Sequence, residues 1–106
     1  MTDIASRINR RRRQILVHSI IYYKLDDNII PDSQWAEWAL ELENLQRDYP
    51  DIAAKCFLAE AFEEFEHSSG YNLPLDNSWG VLTARKLLQW RDLGYLKGEN
   101  NAHFAI

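Results

Sequence analysis

Apolar side chains recur at intervals of three and four residues along most of this 106-residue sequence. That spacing places them on one face of an α-helix, and proline, glycine and aspartate residues separate the helical segments. Helices are predicted over residues 3–23, 32–49, 51–67 and 78–93. No two alternating segments with a turn between them indicate a β-hairpin. The sequence therefore predicts an all-α fold, as a single small domain of about four helices.

Capping residues mark the predicted helix boundaries. Asp32 or Ser33 is expected to cap the second helix, because a short side-chain oxygen accepts hydrogen bonds from the free N–H groups of the first turn. The same reasoning predicts a cap for the last helix within residues 76–78, and Gly94 as the residue just past its end. The tail, residues 97–106, is expected either to fray or to dock by its last apolar side chains.

The cysteine count and the N-terminus limit the compartment. Cys56 is the single cysteine, so neither an intramolecular disulfide nor a cysteine-based metal cluster is expected. The first residues run into arginines instead of an apolar signal segment. No apolar run reaches the roughly 20 residues that a membrane-spanning helix needs. A cytoplasmic protein without membrane contact is predicted.

Charge is distributed unevenly along the chain. Residues 1–24 hold six basic residues and one acidic residue, whereas the remainder carries a net charge of −9. A basic patch is predicted at four consecutive arginines, namely Arg10, Arg11, Arg12 and Arg13. They are interpreted either as contacts to DNA phosphates or as partners of the chain's own acidic helices. The acidic remainder repels nucleic acid, so any DNA contact is expected to be weak and salt-sensitive.

Two aromatic clusters flank a predicted loop. Tyr22 and Tyr23 end the first helix, and Asp32 and Trp35 lie in the first turn of the second. A flat heteroaromatic ring could stack between these clusters while Asp32 accepts hydrogen bonds from an amide or a ribose. The alternative is that Asp32 is only a helix cap and that the aromatic rings belong to the core.

A family resemblance rests on the stretch HSIIYYKLDDNIIPDSQW over residues 18–35 and LELENLQRDYP over residues 40–50. With nearly gapless spacing over residues 13–52, it resembles the N-terminal helical domain of bacterial NAD-dependent DNA ligases. In that family the domain closes over the nicotinamide mononucleotide half of NAD. The resemblance implies that Tyr22, Tyr23 and Asp32 occupy ligand-contacting positions. Trp35 stands in place of a family tyrosine, and Ala36 in place of an aspartate.

Other parts of a ligase are missing from these 106 residues, including the Lys-x-Asp-Gly nucleophile motif, an oligonucleotide-binding barrel and a zinc finger. The chain is therefore predicted not to be an enzyme. Residues 13–52 are expected to form a ligase-like helical hairpin. Residues 53–106 are expected to add two helices and the tail, which cover the surface that the hairpin would present to its missing partner domain.

The predicted function is that of a small, stand-alone, ligase-related phage protein in the cytoplasm of a bacterial host. It would act without catalysis by binding a host or phage protein, for instance by inhibiting a host defence nuclease as anti-CRISPR proteins do. The predicted interaction face is acidic and consists of Glu37, Glu41, Glu60, Glu63 and Glu64. One alternative is a module that binds NAD or nicotinamide mononucleotide. A second is a DNA-associated factor that uses the arginine run. No metal or obligatory cofactor is predicted, and the oligomeric state is open.

Overall fold

The structure is a computed structural model that describes residues 3–96. Four α-helices lie within these residues. They are α1 (Ile4–Tyr23), α2 (Asp32–Asp48), α3 (Pro50–Ala53) and α4 (Ser78–Asp92). These residues contain no β-strand, so the predicted all-α fold is confirmed. None of the helices within this range combines the length and the hydropathy that a bilayer crossing requires. The predicted docking or fraying of residues 97–106 lies outside the described residues.

Helix α1 is the centre of the fold. It packs against both α2 and α4, and every residue from 14 to 21 is buried. Burial on several sides explains why the apolar stripe of α1 is broad, whereas α2 has a narrower one. Helix α2 packs against α1, and its buried side chains are Trp38, Ala39, Leu42 and Leu45, whereas Trp35 at its start is only half-buried.

Helix α4 begins and ends where the capping signals predict. The Asn77 side chain accepts a hydrogen bond from the Gly80 backbone N–H at 2.9 Å. Gly94 adopts a φ of 82°, the left-handed conformation that ends many helices. A Cβ on Gly80 would lie 2.6 Å from Ile20 Cδ1, so the absence of a side chain lets α4 approach α1 closely.

The prediction of a helix over residues 51–67 is wrong beyond the first turn. Only α3 is helical, and residues 54–64 form successive turns. Leu58 has a φ of 53°, which a continuous α-helix cannot contain. The second half of the described chain therefore has one helix after α3, namely α4, instead of the two predicted for residues 53–106.

Side chains from α1 and α2 supply hydrogen bonds to these turns. Asn9 Oδ1 accepts from the Phe57 N–H at 2.7 Å, and Arg12 Nη1 donates to the Phe57 carbonyl at 3.0 Å. Gln46 Nε2 donates to the Phe62 carbonyl at 3.0 Å. Because these partners satisfy backbone groups that a helix would pair internally, the segment is held in a non-helical conformation.

Candidate functional site

The end of α1 and the start of α2 face each other across an open cleft of about 280 Å³. All four residues predicted to bind a nucleotide line this cleft: Tyr22, Tyr23, Asp32 and Trp35. The two segments therefore lie together, and the space between them is not filled by core side chains. A cleft with several aromatic groups and few convergent polar groups is typical of small-molecule sites.

Tyrosine side chains form one wall of the cleft. The Tyr22 and Tyr23 rings meet edge to face, with centroids 4.9 Å apart. Tyr23 meets Tyr71 in the same way at 5.5 Å, and its hydroxyl lies 3.3 Å from Ser69 Oγ. Tyr22 remains 54% exposed. Its ring is thus fixed by a neighbour and still accessible to a ligand, which favours stacking.

The Trp35 ring is anchored from below. Its Nε1–H donates to Ser19 Oγ at 3.2 Å, and its ring lies 6.5 Å from that of Phe65. A Cβ on Gly70 would lie 2.3 Å from Ser19 Oγ and 3.2 Å from the Trp35 ring. Glycine at this position therefore allows the Ser19–Trp35 pair to form, and the indole is held in one orientation.

Asp32 is the first residue of α2 and is exposed. The predicted cap is wrong, because Pro31 is the N-cap residue and no side chain makes a capping hydrogen bond there. The Asp32 carboxylate accepts no hydrogen bond from residues 3–96, so its oxygens are available to a ligand. Its place at the positive end of a helix dipole stabilises its negative charge.

Several lining residues were not predicted from the sequence. They come from the α1–α2 loop, from helix α1 and from the segment before Gly70, and they are His18, Ser19, Asn28, Ile29, Ile30, His67 and Ser68. His18 belongs to the ligase-like stretch, so a signal for it existed. His67 and Ser68 have no such signal, because they reach the cleft only through tertiary packing.

Glu43 holds His67 at the rim of the cleft. One carboxylate oxygen accepts from the His67 backbone N–H at 2.7 Å and lies 3.0 Å from its Nδ1. These hydrogen bonds lower the pKa of Glu43, so its carboxylate stays ionised and keeps accepting. The position of the His67 ring is therefore set from α2.

A salt bridge attaches the α1–α2 loop to α4. Arg91 Nη1 and Nη2 contact the two carboxylate oxygens of Asp27 at 2.8 and 3.0 Å. Hydrogen bonds from Arg91, followed by one from the Asn28 N–H, lower the pKa of Asp27 to about 2. Asn28, which follows Asp27, lines the cleft. The salt bridge therefore connects helix α4 to a residue next to the cleft lining.

The predicted basic patch is not one continuous surface. Arg12 is 1% exposed, and burial lowers the pKa of its guanidinium. Arg11 lies 5.5 Å from the Trp38 ring centre and 3.3 Å from a Glu41 carboxylate oxygen. Arg10 is exposed and Arg13 is half-buried. Arg12 cannot meet a DNA phosphate, and Arg11 fits the alternative interpretation of pairing within the chain.

The predicted acidic face is divided. Glu37 is exposed on α2, and Glu41 is paired with both Arg11 and Arg7. The other three predicted residues, Glu60, Glu63 and Glu64, lie in the turns after α3 and line a separate groove of about 460 Å³. Within residues 3–96 no cluster of His, Cys, Asp and Glu is arranged to hold a metal ion.

Comparison with known proteins identifies relatives of the chain. A family model described as "DNA ligase-like, N-terminal NAD+-binding domain" matches residues 1–55. A DNA ligase of Endomicrobium trichonymphae is 31% identical over 87 residues, which cover 74% of this chain and 13% of that ligase. A DNA ligase of Pseudothermotoga lettingae is 32% identical over 92 residues, covering 79% and 13%. No solved structure matches the chain.

The extent of these matches bears on the second half of the chain. The family model stops at residue 55, but 79% of the chain is too much to lie within residues 1–55 alone. Similarity to ligases is therefore not confined to the predicted hairpin of residues 13–52. The chain spans only about 13% of the length of these two ligases.

Proposed function

We propose that the cleft binds the nicotinamide nucleotide half of NAD+, because the chain belongs to the family of DNA ligase-like, N-terminal NAD+-binding domains. The observation that carries this proposal is the convergence of Tyr22, Tyr23, Asp32 and Trp35 on one open cleft. A filled aromatic core at this place would have favoured a purely structural role.

The charges of the cleft suit a cationic ring. The nicotinamide ring of NAD+ is positively charged, and the faces of aromatic side chains attract cations. Asp32 adds a carboxylate, whereas none of the lining residues in the described part of the chain is a lysine or an arginine. Recognition would therefore rest on the ring and the ribose, and NAD+ is expected to bind more tightly than NADH, whose ring is neutral.

Ala36 limits the expected affinity. It lines the cleft at the position where the ligase pattern has an aspartate. A polar ligand group left unpaired in a partly buried site costs about 1–3 kcal/mol. Restoring the carboxylate with Ala36→Asp is therefore expected to tighten binding about 5- to 150-fold.

Titration of the chain with nicotinamide mononucleotide, followed by calorimetry and by the indole N–H resonance of Trp35, tests the proposal. Wild type is expected to bind saturably, Asp32→Ala to lose most of its affinity, and Ala36→Asp to gain affinity. Asp51→Ala is the matched control, because Asp51 is also an exposed aspartate in the first turn of a helix but lies outside the cleft lining. Absence of heat and of resonance shifts at millimolar ligand would contradict the proposal.

We further propose that the chain acts by binding and not by catalysis. The sequence contains no Lys-x-Asp-Gly motif, so no lysine in that setting is present to be adenylated. Incubation with labelled NAD+ is expected to leave the protein free of covalently bound adenylate. A labelled, heat-stable protein band would contradict this part of the proposal.

A role in protein interaction is the second candidate. Its support is the groove lined by Glu60, Glu63 and Glu64, which also contains the half-buried Phe65 and therefore suits a basic partner with an apolar anchor. A pull-down that compares wild type with Glu60→Lys/Glu63→Lys tests this candidate. The narrower role of a phage protein that inhibits a host defence nuclease stays a prediction, as does a cytoplasmic location.

DNA binding is less well supported, because the side chain of Arg12 is buried. A gel shift at low salt is expected to show at most a weak complex that disappears near physiological salt.

A further inference from the structure

The loop between α1 and α2, residues 24–31, connects the two sides of the cleft. It joins Tyr23, the last residue of α1, to Asp32, the first residue of α2. Residues 28–30 of the loop themselves line the cleft. A change in the backbone of residues 28–30 therefore changes the shape of the cleft between the tyrosine wall and Asp32.

The loop makes a sharp turn at its start. Asp26 has a φ of 52°, in the left-handed region that aspartate tolerates better than most residues. This turn brings the Asp27 backbone N–H to 3.0 Å from the Ile21 carbonyl. Asp27 Oδ1 in turn accepts from the Asn28 N–H at 2.8 Å, so the carboxylate is tied to its own loop.

Arg91, in the last turn of α4, binds both Asp27 and Asn28 of this loop. Besides its two contacts to the Asp27 carboxylate, its Nη1 donates to the Asn28 carbonyl at 3.0 Å. We call Asp27, Asn28 and Arg91 the loop clamp. A planar, two-pronged guanidinium–carboxylate pair restricts the orientation of both partners more than a single contact does. Arg91 is not among the lining residues and reaches the cleft only through Asn28.

We propose that Arg91 is a positioning residue for nucleotide binding, which holds residues 28–30 in the conformation that keeps the cleft open. This inference rests on the proposed function of the cleft. A loop that is mobile before binding must be ordered by the ligand, and that ordering lowers affinity. The loop clamp orders the loop in advance. Arg91 lies well beyond residue 55, where the match to the family model ends.

Arg91→Lys is the informative variant. Lysine keeps the charge and the helix but lacks the planar fork, so it cannot contact both Asp27 oxygens and the Asn28 carbonyl in the same way. Arg85→Lys is the matched control. Arg85 is exposed on the same helix and makes no side-chain hydrogen bond or salt bridge with residues 3–96. Asp27→Asn is a second, milder variant that weakens the clamp from the loop side.

The experiment is a titration of the isotope-labelled full chain with nicotinamide mononucleotide, followed by NMR. Arg91→Lys is expected to raise Kd about 3- to 10-fold, the effect of having to order a loop on binding. At saturation the Trp35 indole resonance is expected to coincide with that of wild type, because the bound site is the same. Arg85→Lys is expected to keep the wild-type Kd. Combining Asp27→Asn with Arg91→Lys is expected to add little to either change alone.

Amide hydrogen exchange without ligand gives an independent readout of the loop. Residues 28–30 are expected to exchange faster in Arg91→Lys and in Asp27→Asn, but not in Arg85→Lys. If wild type binds and Arg91→Lys has an unchanged Kd, or if Arg85→Lys weakens binding equally, the positioning role is overturned and the proposed function stands. If wild type does not bind the nucleotide, the proposed function fails and the positioning role fails with it.

Discussion

Replacing Arg12 with alanine is expected to destabilise the fold, although Arg12 belongs to a run of four arginines that suggests a surface patch. Its side chain is buried, and its Nε donates to Gln46 Oε1 at 2.9 Å. Its Nη1 donates to the Phe57 carbonyl at 3.0 Å, and the guanidinium lies 5.5 Å from the Phe62 ring centre. The side chain thus joins α1 to α2 and to the turns after α3.

The magnitude follows from three effects. An acceptor that loses its donor away from water costs about 1–3 kcal/mol, and Arg12→Ala removes the donor from two part-buried acceptors. The lost packing of the aliphatic stem on the Phe62 ring adds to this cost. Burial of the guanidinium charge is itself unfavourable, as the lowered pKa of Arg12 indicates. Removing this charge therefore offsets part of the cost. The net loss in the free energy of unfolding is expected to be about 2–4 kcal/mol.

Urea unfolding followed by circular dichroism measures this loss, with Arg10→Ala as the matched control. Arg10 belongs to the same run but is exposed, so its replacement is expected to change the free energy of unfolding by about 0.5 kcal/mol or less. A loss of less than about 1 kcal/mol for Arg12→Ala, or equal losses for the two variants, would refute the reasoning. The arginine run would then be better interpreted as a surface patch.

Three further changes have defined outcomes. Gly80→Ala places a Cβ 2.6 Å from Ile20 Cδ1 and is expected to cost about 1–3 kcal/mol despite the helix preference of alanine; a raised thermal midpoint would contradict the close packing. Gly70→Ala places a Cβ 2.3 Å from Ser19 Oγ, so Ser19 and the Trp35 indole bonded to it must move. Nucleotide binding is therefore expected to weaken in a calorimetric titration, and an unchanged affinity would contradict this support of the indole. Asp27, with its pKa lowered from 3.8 to about 2 on folding, stabilises the fold above about pH 4 and loses this effect as the pH falls towards 2. Asp27→Asn should therefore lower the thermal midpoint at pH 6 and approach wild type at pH 2, whereas a gap that does not change with pH would exclude this linkage.

The helices that the sequence predicts well are those with local boundary signals. Helix α2 lies between two prolines, and α4 lies between the Asn77 cap and Gly94. The failure over residues 54–64 has a physical cause. The apolar spacing of this segment is compatible with a helix, but its backbone is paired with side chains such as Asn9 and Gln46, which are distant in sequence. Local periodicity carries no information about such tertiary partners.

The candidate site divides in the same way. Tyr22 and Asp32 could be predicted because they lie within a short stretch whose spacing resembles a known family. His67 and Arg91 could not, because each acts through a partner far away in sequence, and isolated charged residues of this kind usually lie on a solvated surface. Only coordinates show that Glu43 orients one and that Asp27 engages the other.

These contacts bear on which residues the proposed nucleotide binding would depend on. The match to the family model ends at residue 55. However, the orientation of the Trp35 indole depends on the absence of a side chain at Gly70, and Arg91 forms a salt bridge with the α1–α2 loop. The aromatic and acidic groups that would touch a ligand thus come from the matched segment, and much of the order that makes them usable comes from the residues after it. Affinity depends on both, since a ligand that must first organise its own site binds more weakly. Weaker binding in a homologue with an intact Tyr22–Trp35 segment is therefore expected when its counterparts of Gly70 and Arg91 change.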